Sequence, residues 1–169
     1  MVIVRPATLD DHPAVSDLTH QAYVESGHVS ASDPYAAALT DMQARAANLF
    51  VAEVEGQIAG SVNIATPGSS MIEVAYDNEL EFRMLAVHPW YQGRGIGREL
   101  VKFVLNHARQ HDLSQVVITT MGSMTTAQAM YARLGFQRAP DRDWNLYTAG
   151  IVDDEQGLET FLVYVHPLN

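Results

Sequence analysis

Six consecutive residues, Gln92-Gly93-Arg94-Gly95-Ile96-Gly97, hold the plainest chemistry in this chain of 169 residues. Three alternating glycines let a backbone come close to a phosphate. A helix starting there would add free N–H groups and the positive end of its dipole. Arg94 and Arg98 would contribute charge-assisted contacts. Arg94, Arg98 and Lys102 follow one another at four-residue spacing, with Arg109 further along the same segment. The whole chain carries a net charge of -10, from 10 Lys+Arg against 20 Asp+Glu. A basic stripe on so acidic a protein points to a bound anion.

Other phosphate motifs fit less well. A dinucleotide fingerprint begun at Gly93 needs glycine where Arg98 stands, and a P-loop needs a Gly-Lys-Ser/Thr ending that is absent. The acidic balance argues against nucleic acid as a partner. With no cysteine there is no disulfide, thiolate metal site or cysteine nucleophile. His107 and His111 share an i, i+4 spacing that can hold a metal, but they read as a solvated helix end, so no metal is expected. The start MVIVRPATLDD has no signal-peptide pattern and no apolar run reaches the roughly 20 residues of a membrane span. The expectation is a soluble, cytoplasmic protein without a membrane partner.

The elements that must position the turn follow from hydrophobic period. Val2–Val4 reads as a first strand, Asp10 to about Tyr23 as a helix, and about Tyr35–Ala47 as a second helix. Leu49–Val54 and Ile58–Ile64 read as a hairpin turning at Glu55-Gly56-Gln57. Glu81–Val87 is a strand leading to the glycine turn, and Ile96–His111 is an amphipathic helix. Val116–Thr120 reads as a buried strand. Thr125 and Gln128 have capping-box spacing at the next helix, with Gly135 just past its end. Thr160–Val165 is a last strand, and residues 138–158 carry no clear pattern. Alternation of the two periods over one core-sized length predicts a single α/β (α+β) domain spanning 1–169.

These residues resemble a known family. Gln92–Gly97 is similar to the Q/R-x-x-G-x-G/A signature of GNAT N-acetyltransferases, and Leu85-Ala86-Val87-His88-Pro89 to the strand before it. Ala127-Gln128-Ala129-Met130-Tyr131-Ala132-Arg133-Leu134-Gly135-Phe136 is similar to the later A-x-x-L/M-Y-x-x-L-G-F segment. Ser123 and Met124 stand where many relatives carry an asparagine. The resemblance implies a central mixed, twisted sheet with two splayed parallel strands, flanked by helices. It implies acetyl-CoA as cosubstrate, held by Gln92, Gly93, Arg94, Gly95, Ile96, Gly97 and Arg98. Main-chain groups of Leu85, Ala86 and Val87 would pair with the pantetheine arm.

The resemblance further implies that Tyr131 protonates the departing thiolate. Glu81 resembles a glutamate used as base in some relatives; equally, it could pair with Arg83 on its own strand face. Glu73, Asp77, Glu79 and Glu81 suggest a cationic acceptor. The expected activity is acetyl transfer to a primary amine, on a small molecule or peptide. Without a cysteine it would go directly, in a ternary complex. A non-catalytic acyl-CoA sensor is the alternative, and homodimers are common among such proteins.

Overall fold

The computed structural model describes residues 1–169. Strands β1 (Val2–Pro6), β2 (Leu49–Val54), β3 (Gln57–Ala65), β4 (Glu79–Val87), β5 (Gln115–Met121), β6 (Gln137–Arg138) and β7 (Phe161–Pro167) form one sheet. Its spatial order is β1-β2-β3-β4-β5-β7-β6. Five helices accompany it: α1 (His12–His20), α2 (Pro34–Leu39), α3 (Met42–Arg45), α4 (Ile96–Gln110) and α5 (Thr125–Arg133). Every strand pair is antiparallel except β4–β5, so the sheet is mixed, as expected. No helix is long and apolar enough to cross a membrane.

The parallel pair decides where a ligand can go. β4 and β5 are in register only at Glu79–Gln115, Leu80–Val116 and Glu81–Val117. Beyond that point the strands part, and the edge of β4 from Phe82 to Val87 has no strand partner on that side. A bulge sharpens the divergence. The β3–β4 register shifts between Ser61 and Asn63, opposite Met84, whose φ of 56° is unusual for a residue with a side chain.

Both faces of the sheet are covered. Ile96, Leu100, Val101, Val104 and Ala108 of α4 are buried on one face with Val62, Phe82 and Val116. Their recurrence at three and four residues gives the helix its single apolar stripe. Gly60 of β3 lets α4 sit close: a Cβ there would lie 2.9 Å from the Ala86 carbonyl and 3.0 Å from Ile96 Cγ2. The other face buries Leu18, Tyr23, Leu39 and Met84 beneath α1 and α2. Arg45 pins this layer to β3. Its buried guanidinium donates to Asn63 Oδ1 (2.6 Å), the Leu39 carbonyl (2.7 Å) and Thr19 Oγ1 (3.3 Å). Burial lowers its pKa to about 10, which still leaves it cationic at neutral pH.

Three expectations change. The helix read over Tyr35–Ala47 is two helices, because Asp41 turns to cap the second and accepts the Ala44 N–H at 3.1 Å. The first helix ends at His20 and continues as a π-helical turn over Gln21–Glu25, which carries Tyr23. Thr125 and Gln128 form no capping box. Thr125 is already the first helical residue, and the Gln128 amide donates to the Met121 carbonyl at 2.9 Å.

Candidate active site

Two cavities open where β4 and β5 part. The first, about 1160 Å³, is lined by the glycine turn, the start of α4 and the start of α5. Gly93 and Gly95 have φ of 77° and 79°, a left-handed backbone that other residues adopt only at a cost. The first intrahelical bond of α4 runs from the Glu99 amide to the Gly95 carbonyl at 3.0 Å. The preceding amides of the turn therefore have no partner within the helix. Gly97 brings the backbone against α5, where a Cβ would lie 3.2 Å from Met130 Sδ.

The wall of this cavity is unlike the rest of the protein in charge. It carries Arg94, Arg98, Lys102 and Arg133 and no carboxylate. Arg94 lies over Trp90 and Tyr91, 5.9 and 5.4 Å from their ring centroids, which fixes its direction. Arg109 is elsewhere, on the exposed end of α4, bonded to Asn106. All the residues expected to hold the cofactor line the cavity: Leu85, Ala86 and Val87 from β4, Gln92 through Gly97, and Arg98. The free amides and the all-cation wall suit a polyphosphate ligand.

The second cavity, about 470 Å³, adjoins the first and is lined by residues 83–85 of β4 and 118–121 of β5. Tyr35, Met84, Ile118, Trp144 and Phe161 give it an apolar body. Trp144 packs on Phe161, 4.7 Å between centroids, and its indole N–H donates to Thr119 Oγ1 at 3.2 Å. Polar groups are few. Thr120 Oγ1 is buried without a partner, and Glu73 faces Arg83, Oε1 to Nε 3.0 Å. Burial pushes the Glu73 carboxyl up, against the pull of Arg83. Asp33 and Glu159 complete the acidic lining.

Tyr131 lines this second cavity, 3% exposed, among Phe82, Phe136 and Tyr164. Burial raises its phenol pKa well above the ordinary value of 10, so the O–H persists across the working pH range. Glu81 lines neither cavity. It is fully buried, and its Oε1 accepts the backbone N–H of Glu73 (2.8 Å), Val74 (2.9 Å) and Ala75 (3.1 Å). The alternative pairing of Glu81 with Arg83 is also corrected, since the guanidinium is held by Glu73 and the Met71 carbonyl. Glu81 Oε2 is buried without a partner, whereas Glu79 is occupied at both oxygens. Arg142 grips both its oxygens at 2.8 and 2.9 Å, while Gln115 and the Tyr76 N–H add bonds. Of the expected acidic group, Glu73 alone lines either of these two cavities.

Two residues without a motif of their own, Tyr23 and His28, also stand at this site. The Tyr23 hydroxyl donates to the Leu85 carbonyl at 3.0 Å, which occupies one main-chain acceptor on the open edge of β4. His28 lies on the loop between α1 and α2, and its Nδ1 is 2.8 Å from Ser123 Oγ. The signal was a histidine beside a glycine in a polar link, since loops on rigid scaffolds often carry function.

Residues 13–136 match the model of the acetyltransferase (GNAT) family. The chain belongs to that family. Among its relatives is the mycothiol acetyltransferase of Cellulomonas flavigena, 37% identical over 94 residues, covering 54% of this chain and 27% of the relative. Human N-acetyltransferase 8B is 29% identical over 104 residues, covering 62% of this chain and 44% of the relative. The chain thus spans less than half the length of these relatives. Among solved structures, the ribosomal-protein-S18-alanine N-acetyltransferase of Escherichia coli superposes with a TM-score of 0.69 at 19% identity, covering 100% of this chain and 95% of that one. The yncA structure of Salmonella typhimurium, solved with its cofactor acetyl-CoA, gives 0.70 at 17% identity, covering 99% and 94%. At these identities the structural likeness shows the GNAT fold alone.

Proposed function

We propose that this chain is an acetyl-CoA-dependent N-acetyltransferase that passes the acetyl group directly to a primary amine. One observation carries the reading. A cavity rimmed by free backbone amides and four cations, with no carboxylate, opens beside an apolar second cavity at the parting of β4 and β5. The first is suited to the phosphates and arm of acetyl-CoA, and the second to the acceptor. The amine nitrogen attacks the thioester carbonyl, the C–N bond forms and the C–S bond breaks. Tyr131 supplies the proton that the departing thiolate takes, because its buried O–H is a donor at every working pH.

Glu81 serves this site at one remove. Its three backbone bonds hold residues 73–75, and so present Glu73 to Arg83 at the cavity wall. The acceptor is a cation with an apolar or aromatic body. Asp33, Glu73 and Glu159 outnumber Arg83 on the lining, Trp144 and Phe161 give a flat surface, and the Thr120 hydroxyl offers a hydrogen bond.

The test is release of CoA thiol from acetyl-CoA with a panel of primary amines. With no cysteine in the protein, a thiol reagent reads only the product. Aryl-bearing amines should give the highest kcat/KM at saturating acetyl-CoA, above amino acids and dicarboxylates. Tight acetyl-CoA binding without thiol release for any amine would instead mark a sensor.

A further inference from the structure

The two cavities share four residues: Tyr23, His28, Leu85 and Met124. If the thioester enters from one cavity and the amine from the other, the reacting atoms meet at this junction. A group that takes the amine's proton has to stand there. Leu85 and Met124 carry no basic atom. The Tyr23 hydroxyl already donates to Leu85, and burial pushes its pKa well above the ordinary value, so it holds its proton. His28 is the remaining side chain, and imidazoles as a class change charge between about pH 5 and 8.

Its bonding suits the task. Nδ1 lies 2.8 Å from Ser123 Oγ on the loop before α5, while Nε2 makes no hydrogen bond within the protein. A hydrogen bond at one ring nitrogen sets the tautomer and frees the other. We propose that His28 is the general base of this site, with Nδ1–H donated to the Ser123 hydroxyl and the Nε2 lone pair open to the acceptor amine. This rests on the acetyl-transfer reading. An ordinary alkylammonium holds its proton to about pH 10, as lysine does. The fraction that binds neutral can attack, and its nitrogen becomes strongly acidic once the C–N bond forms. That proton passes to Nε2, the electron pair of the C–S bond leaves on sulfur, and the thiolate takes its proton from Tyr131. The imidazolium and phenolate then exchange protons with solvent between turnovers.

Competing bases are otherwise engaged or misplaced. On the acceptor side, Glu73 is held by Arg83, and Asp33 caps α2 by accepting the Tyr35 N–H at 2.9 Å. Neither they nor Glu159 reach the first cavity. The charged groups lining the two cavities with His28 are Asp33, Glu73, Arg83 and Glu159 on the acceptor side and Arg94, Arg98, Lys102 and Arg133 on the cofactor side.

Three variants test this in the full chain, with phenethylamine as the probe acceptor at saturating acetyl-CoA. His28→Asn keeps an N–H at the place of Nδ1 and removes Nε2. Its kcat should fall roughly 10²-fold or more, as expected for a lost general base. The acidic limb of its kcat profile between pH 5 and 8 should disappear, while calorimetry shows acetyl-CoA affinity within about twofold of wild type. His28→Ala should regain rate when imidazole is added, which a merely structural role would not allow. Ser123→Ala should lose less, roughly tenfold, and keep the limb. A His28→Asn enzyme with near wild-type kcat, or with its acidic limb intact, overturns the assignment. Wild-type protein that binds acetyl-CoA but acetylates neither phenethylamine nor any panel amine overturns the acetyl-transfer reading itself, and the base with it.

Discussion

The two cavities that meet at the parting of β4 and β5 are built on opposite principles. The first takes its character chiefly from backbone: one turn, one helix start and three cations that follow within ten residues of Gly93, with Arg133 of α5 as the one distant cation. The second is assembled from side chains on the π-helical turn, α2, β4, β5 and the segment from Trp144 to Phe161. Phosphate recognition by amides needs only a local conformation, so it compresses into a short motif. Recognition of an acceptor needs shape, and shape here comes from segments more than a hundred residues apart. The contrast teaches why the cosubstrate is legible in such a chain long before the acceptor is.

The comparison can be broken at several points, beginning with the largest expected effect. Gly95→Asp places a carboxylate where an anion should sit. A side chain there meets little, its nearest neighbour being Arg98 Nη2 at 3.8 Å, but the left-handed φ of 79° strains any substitute, so the electrostatic part is the difference between Asp and its neutral isostere. Acetyl-CoA affinity should drop roughly 10³-fold by calorimetry, the scale of like charges forced together. Gly95→Asn, similar in size and uncharged, should lose far less. Equal losses in the two would put the site's strength in backbone shape rather than charge.

Glu81→Ala strips three backbone N–H groups of their shared acceptor. Leaving them buried should cost about 3 kcal/mol in a denaturant melt. Acetyl-CoA affinity should hardly move, since Glu81 lines neither cavity. A fully stable variant that has lost only kcat would restore Glu81 as the base.

Tyr131→Phe removes a single O–H from an aromatic cluster that remains packed. The kcat should fall about 10²-fold with KM nearly constant, the pattern of an interaction made in the transition state. Because burial raises the phenol pKa, no loss of rate from its ionisation should appear up to pH 10. A rate near wild type would leave Tyr131 as packing alone.

The smallest effect is expected at Trp144. Trp144→Ala opens the far wall of the second cavity and should raise the KM of aryl amines roughly tenfold, a typical loss for a truncated aromatic contact. Acetyl-CoA affinity should stay constant. A parallel loss of cofactor binding would mean that the two cavities are not separate in function.

Legibility followed the same division. The hairpin of β2 and β3 announced itself by period and by Glu55-Gly56, and α4 by its apolar stripe. The break between α2 and α3 was harder, because Thr40 and Asp41 act through caps that interrupt an otherwise continuous helical pattern. Glu81 sat in a strand facing Arg83 by register, but its partners are amides of residues 73–75, and amides leave no mark on a sequence. The bulge at Met84 is equally silent, since its left-handed backbone is imposed by sheet packing on a residue that does not favour it. His28 gains its place only because Ser123, 95 positions later, lies beside it.

The short ladder between β4 and β5 has one more consequence. Three residue pairs, with the Ser114 N–H donated to the Asn78 carbonyl just before them, are the backbone pairing that joins the β1–β4 half of the sheet to the β5–β7 half. Past Glu81, the edge of β4 therefore offers its amides to water, and they should trade hydrogen for deuterium quickly in the free protein. An extended arm lying in the gap would act as a missing strand and slow that exchange along Phe82–Val87, while Glu79–Glu81 stay protected throughout. The wedge would then be a seam that the cosubstrate itself stitches closed.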